Sequence, residues 1–162
     1  MQNQIQRRPD WDQYFMKLAW LAAERSTCLR HHVGCVIVKN KRILSTGYNG
    51  APANLPDCLE LGCLRDQLKI PSGQRHEICR AIHAEQNAII QGSVMGTSLV
   101  GATLYCTHSP CVLCAKMIIN AGIIKVIAGQ PYPDKSYVDL FNQAKIEFYT
   151  LDINNLTISQ KI

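Results

Sequence analysis

Apolar side chains recur at helical spacing near the start of the chain, where Trp11, Phe15, Leu18 and Ala22 line one face of WDQYFMKLAWLAAERS. Asp10 followed by Gln13 makes a capping-box pattern, so a first amphipathic helix is expected over residues 10–27. The period then changes. VGCVIVK (33–39) and RILSTGY (42–48) are β-branched and apolar on both faces around an Asn-Lys turn, the pattern of two adjacent buried strands. Residues 49–78 are rich in Gly, Pro and Asn and read as a long loop, a feature that in a compact domain is functional or tied down. From there the order is regular: AEQNAIIQG as a helix, ATLYCT (102–107) as a strand, CVLCAKMIINAG as a helix closed by Gly122, IKVIAG (124–129) as a strand, SYVDLFNQA as a helix and KIEFYTL as a last strand. Strands alternating with helices imply an α/β fold, with the later strands parallel and helices on both faces of the sheet. No repeat, low-complexity tract or second domain interrupts residues 1–162, and the tail, 151–162, is too weakly patterned to assign.

Composition narrows the class. A chain of 162 residues that is 47% hydrophobic fits one globular domain with one core. The polar start, MQNQIQRRPD, has no apolar leader region, and no apolar run approaches the roughly 18 residues of a spanning helix. A cytoplasmic protein with no membrane partner is the expectation. Thiols stay reduced there, so eight cysteines point to metal or catalysis before a disulfide framework. The net charge of +5 sits entirely in residues 1–82, which hold 12 Lys/Arg against 7 Asp/Glu, while residues 83–162 hold 5 of each. Its densest piece, Lys39, Lys41 and Arg42, flanks the hairpin turn and has no interleaved aromatic platform. Nucleic acid is therefore not the expected partner, whereas a phosphate-bearing small molecule suits the balance.

The chemistry concentrates in two short motifs. HAE, residues 83–85, is followed 25 residues later by PCVLC, residues 110–114. Alone, His-x-Glu is commonplace and Cys-x-x-Cys could be redox or structural; together, with Pro before the first Cys, they form the zinc-deaminase signature. Ser109 is a good N-cap and Pro110 suits a first helical position, so Cys111 and Cys114 should share one face of the first turns of a helix, where the positive helix end favours thiolate. His83 and Glu85 cannot both face a metal from mid-helix, so His83 is expected at a helix start. Three protein ligands, His83, Cys111 and Cys114, leave a fourth position for water, the arrangement of a catalytic rather than a closed site. Glu85 is then the proton acceptor.

At these residues the sequence resembles the deoxycytidylate (dCMP) deaminases of the cytidine deaminase superfamily. The likeness runs over about residues 10–150, through WDQYFMKLA, AERSTC, VGCVIV, TGYNGAP, IPSGQRHEICRAIHAEQNAI and LYCTHSPCVLCAK. The resemblance implies a three-layer α/β/α sandwich around a five-stranded mixed sheet. It also implies hydrolysis of dCMP to dUMP in a homohexamer activated by dCTP and inhibited by dTTP. Asn49 in GYNG would by resemblance contact the sugar; its bland reading is a turn residue. Arg25 and Ser26 are candidates for the phosphate, with His108 and Tyr132 behind them as substrate contacts.

Two of the remaining cysteines, Cys35 and Cys106, fall inside apolar strands and read as core. Similarity around RSTC and the loop implies a second, structural zinc held by Cys28, Cys58, Cys63 and His76, with Cys79 competing for the place of His76. Such a closed site would order a loop poor in apolar residues. Two rival functions are a deaminase acting on another cytosine nucleotide or a tRNA base, and a non-catalytic, zinc-stabilised module tied to competence. The first needs a basic, aromatic groove that the composition lacks. The second has no use for Glu85.

Overall fold

The computed structural model describes residues 8–152 and the backbone of 157–160. Helix α1 runs Trp11–Ala23; Asp10 Oδ1 accepts from the Gln13 amide at 2.8 Å and Gln13 returns the bond to the Asp10 amide, closing the expected capping box. The helix stops short of residue 27, because the Ser26 hydroxyl is taken up by Asn49 at 2.6 Å rather than continuing the turn. Strands β1 (Gly34–Lys39) and β2 (Arg42–Tyr48) form the antiparallel hairpin. Its turn residues Asn40 and Lys41 both have positive φ, 50° and 60°, as a type I′ turn requires. The long loop carries two four-residue helices, α2 (Cys58–Leu61) and α3 (Leu64–Gln67), and a 3-10 turn at His76–Ile78. Then follow α4 (Ala84–Val94), β3 (Thr103–His108), α5 (Val112–Asn120), β4 (Lys125–Gln130), α6 (Tyr137–Ala144) and β5 (Glu147–Asp152).

The five expected strands form one mixed sheet in the order β2-β1-β3-β4-β5. The hairpin is antiparallel to β3, and β3, β4 and β5 are mutually parallel. A sixth short strand, β6 (Thr157–Gln160), joins antiparallel to the β5 edge from within the weakly patterned tail. Strand alternation feeds two cores. Val36, Val38, Tyr105, Ile127 and Leu151 face Phe15, Met16 and Ala19 of α1, whereas Cys35, Ile37, Leu104, Cys106, Val126, Ala128 and Phe148 face α4, α5 and α6. Cys35 and Cys106 are fully buried and directly opposite in register, so both are core residues as expected. Two glycines set the layer spacing. A Cβ on Gly34 would lie 2.0 Å from the Ala19 carbonyl oxygen of α1, and one on Gly47 would lie 2.3 Å from the Ala84 carbonyl oxygen of α4. Helices therefore sit directly on strand backbone on both sides of the hairpin. No helix among the described residues is long and apolar enough to cross a membrane.

Candidate metal centre

Helices α4 and α5 both begin at one end of the sheet, where the parallel strands β3 and β4 finish, the place open α/β sheets put their sites. His83 is the extended N-cap of α4, which leaves its ring free to turn away from the helix while Glu85 sits in the first turn. Gln86 Oε1 accepts from the His83 amide at 2.8 Å, and Ile82 pairs with Gly50 through two backbone hydrogen bonds of 3.0 and 3.3 Å. The Asn49-Gly50 segment is thereby pinned to the start of α4. Asn87 strengthens this by donating to the Tyr48 carbonyl at 3.0 Å.

The start of α5 differs from expectation. Cys111, not Ser109, is the N-cap, and Cys114 lies in the first turn. Ser109 is used elsewhere: its hydroxyl accepts from the Tyr132 amide at 2.8 Å. The amide of Val112 instead donates to Asp134 Oδ2 at 2.9 Å, while Asp134 Oδ1 accepts from Ser136 at 2.8 Å. A carboxylate from the loop after β4 thus caps the helix bearing both cysteines. Asp134 lies 22 residues from Val112, and no local capping pattern announces it.

Nδ1 of His83 lies 3.4 Å from Cys111 Sγ and 3.3 Å from Cys114 Sγ. Among the described residues these three alone bring their ligand atoms within 4.8 Å of one another. The spacing fits a zinc ion, since tetrahedral N and S ligands at ordinary bond lengths stand about 3.5 Å apart. The charge fits as well. The hydrogen bond from Cys114 holds the Cys111 thiol down to about 4 against its burial, with His83 helping; the same contact and burial push Cys114 well up. Burial lowers His83, but its hydrogen bond with Cys111 and the charge of Glu85 outweigh that and raise it. Glu85 is 4% exposed, and burial raises its pKa against the opposing charge of His83. A buried acid beside a three-ligand cluster can hold and release a proton near neutral pH.

The cavity over this cluster is lined by Asn49, His108 and Tyr132 among the sequence candidates. Asn49 is 7% exposed and heavily committed: Oδ1 accepts from Ser26 Oγ at 2.6 Å and the Val33 amide at 2.9 Å, and Nδ2 donates to the His31 carbonyl at 2.8 Å. Only one N–H of its amide is left for a ligand. Ser26 is buried behind it, and Arg25 is exposed and does not line the cavity. Residues that sequence reasoning missed complete the wall: His31, whose ring meets those of His108 and Tyr132 edge-on at 6.0 and 6.2 Å, and Arg30 and Arg65 from outside any motif. Cys28, Cys58, Cys63 and Cys79 line the same cavity. His76 does not; its ring sits 5.0 Å from that of His83 and 5.9 Å from that of Tyr132.

A three-ligand cluster with a buried carboxylate, at the end of a parallel sheet, defines a candidate hydrolytic metal centre on an α/β/α scaffold. The sequence profile of the cytidine and deoxycytidylate deaminase zinc-binding region matches residues 9–130, and the chain belongs to that family. It is 45% identical to the deoxycytidylate deaminase of Saccharomyces cerevisiae over 77% of its own length and 39% of the yeast protein. It is 39% identical to ComE operon protein 2 of Bacillus subtilis over 95% of this chain and 78% of that one. Among solved structures, the cyanophage S-TIM5 dCMP deaminase in complex with dCMP and dUMP superposes with a TM-score of 0.73 at 31% identity, covering 90% of this chain and 99% of the other. The chain spans about two-fifths of the length of the yeast relatives it matches.

Proposed function

We propose that this protein hydrolyses dCMP to dUMP and ammonia, using zinc held by His83, Cys111 and Cys114. The observation that carries the reading is Glu85, buried beside that cluster and opening on a cavity that Asn49 and Tyr132 also line. A zinc ion in the cluster supplies Lewis acidity and brings the pKa of a water toward about 7. Glu85 accepts the proton of the water that attacks C4 of the pyrimidine, then delivers protons to N3 and to the departing amino group. Asn49, its amide oxygen already satisfied, offers a donor to an oxygen of the sugar. Tyr132 and His108 wall the base, and regulation by dCTP and dTTP in a cytoplasmic homohexamer follows from the family resemblance.

The same reading includes a second zinc held by Cys28, Cys58, Cys63 and Cys79. Cys79 takes the place given to His76 because it shares the cavity wall with the other three, while His76 packs against His83. All four are free thiols, and Cys58 lies within electrostatic reach of the other three. The test is to follow the fall in absorbance of dCMP, dCTP, deoxycytidine and cytidine with the purified protein. Conversion of dCMP in preference to the nucleosides is expected. A protein that leaves dCMP untouched while deaminating a nucleoside or a tRNA base refutes the assignment.

A further inference from the structure

Two buried arginines have no counter-charge. Arg65 is 6% exposed; its Nη2 donates to the Pro71 carbonyl at 2.9 Å, and its Nε is buried with no acceptor. The Nε of Arg80 is likewise buried with no acceptor. Among the described residues the ion pairs are Arg30 with Asp66 and Arg75 with Glu77, so neither Arg65 nor Arg80 meets a carboxylate. An unpaired guanidinium out of water costs several kcal/mol, on the order of the stability of a whole domain. Some anion must answer both.

Both arginines lie among the four cysteines. Arg65 follows Cys63 by two positions and lines the cavity with Cys28, Cys58, Cys63 and Cys79. Arg80 adjoins Cys79, and its charge reaches Cys58. We propose that Arg65 and Arg80 are the counter-ions of a four-thiolate metal centre. The inference rests on the second-zinc reading above. Its arithmetic is simple: a divalent ion with four thiolates carries a net charge of minus two, which two unpaired guanidiniums neutralise, whereas three thiolates and a neutral imidazole would leave one arginine uncompensated. Arg30 does not enter the sum, because Asp66 at 2.6 Å already matches it. The buried N–H groups that lack acceptors then point toward thiolate sulfurs, which lowers the cost of holding four negative ligands together.

Metal content separates this idea from the one beneath it. Wild type, Arg80→Gln, Arg80→Lys, Arg65→Met and Arg65→Lys are dialysed against graded concentrations of a chelator and zinc per chain is measured, with circular dichroism as the check on folding. The expected result is two zinc ions in wild type. The charge-removing variants should lose one of them at about tenfold to a hundredfold lower chelator concentration, and the Lys variants should keep it nearer the wild-type range. One zinc in wild type would sink the second site and the counter-ions together. Two zinc ions whose release is unmoved in Arg80→Gln and Arg65→Met would leave the site standing and overturn the counter-ion role. Should the Arg65 variants fail to fold, the half-buried Arg80 pair decides alone.

Discussion

Glu85 is where a single side chain should matter most. Replacing it with Gln keeps the volume and the neighbouring ligands but removes the proton carrier, so turnover of dCMP should fall by about 10²–10⁴-fold. Zinc content should not change, and a variant that stayed active would show that the proton moves by another route. Ser26 has a different task. It was a phosphate candidate from sequence, yet its hydroxyl donates to Asn49 Oδ1 at 2.6 Å and accepts from the Cys28 amide at 3.2 Å. Ser26→Ala frees the Asn49 amide to rotate and leaves a buried acceptor half satisfied, at about 1–3 kcal/mol. Because Asn49 binds rather than reacts, KM for dCMP should rise by roughly tenfold with kcat little altered. A fall in kcat alone would place Ser26 in the chemistry instead.

Helices α4 and α5 carry the ligands, so anything that moves their first turns moves the site. Gly47 lets α4 rest on β2, and a Cβ there would meet the Ala88 amide at 2.4 Å as well as the Ala84 carbonyl. Gly47→Ala should destabilise the fold by about 1–3 kcal/mol and lower kcat, since Ala84 lies between His83 and Glu85. Gly34→Ala offends α1 in the same way and should cost similar stability with less effect on turnover in the folded protein. Equal losses of turnover would argue that the two faces are not independent. Asp134 is held below the usual carboxylate range; burial opposes this, but the amides of Ser136 and Val112 outweigh it. A depressed acid stabilises the fold fully above its ordinary pKa, near 3.8, and the contribution disappears as pH falls through the lower folded value. Asp134→Ala should therefore cost about 1 kcal/mol at pH 7 and nothing in strong acid, measurable by denaturant unfolding across pH. These helices were legible because Trp11, Phe15 and Leu18, or His83 and Glu85, obey local spacing rules. Asp134 was not, because its partner is 22 residues away and only the folded β4–α6 loop brings the two together.

At the scale of the molecule, the five core strands and both flanking layers could be read from alternation and period, since each strand feeds two faces and Cys35 and Cys106 mark one of them. The interior of the 49–78 loop could not: α2 and α3 are four residues each, too short for periodicity to declare. The cavity wall shows the same divide. His83, Glu85, Cys111 and Cys114 announce themselves by motif, whereas Arg65 and His31 reach the site through loop geometry alone. DCLELGC itself resolves into a capped turn. Asp57 accepts from the amides of Leu59 and Glu60 at 2.7 and 3.2 Å, Gly62 turns the chain with φ of 75°, and Cys58 and Cys63 are left buried on one wall. Cys58→Ser should lower zinc from about two ions per chain to about one and loosen this loop to proteolysis, with the catalytic cluster intact. Unchanged zinc would remove Cys58 from the ligand set. The most direct test of the whole account is the fate of dCMP in water enriched in oxygen-18, followed by mass spectrometry of the nucleotide product. Hydrolysis through Glu85 predicts dUMP carrying one heavy oxygen on the base, formed by wild type and not by Glu85→Gln; recovery of unaltered dCMP, or equal product from both proteins, would contradict it.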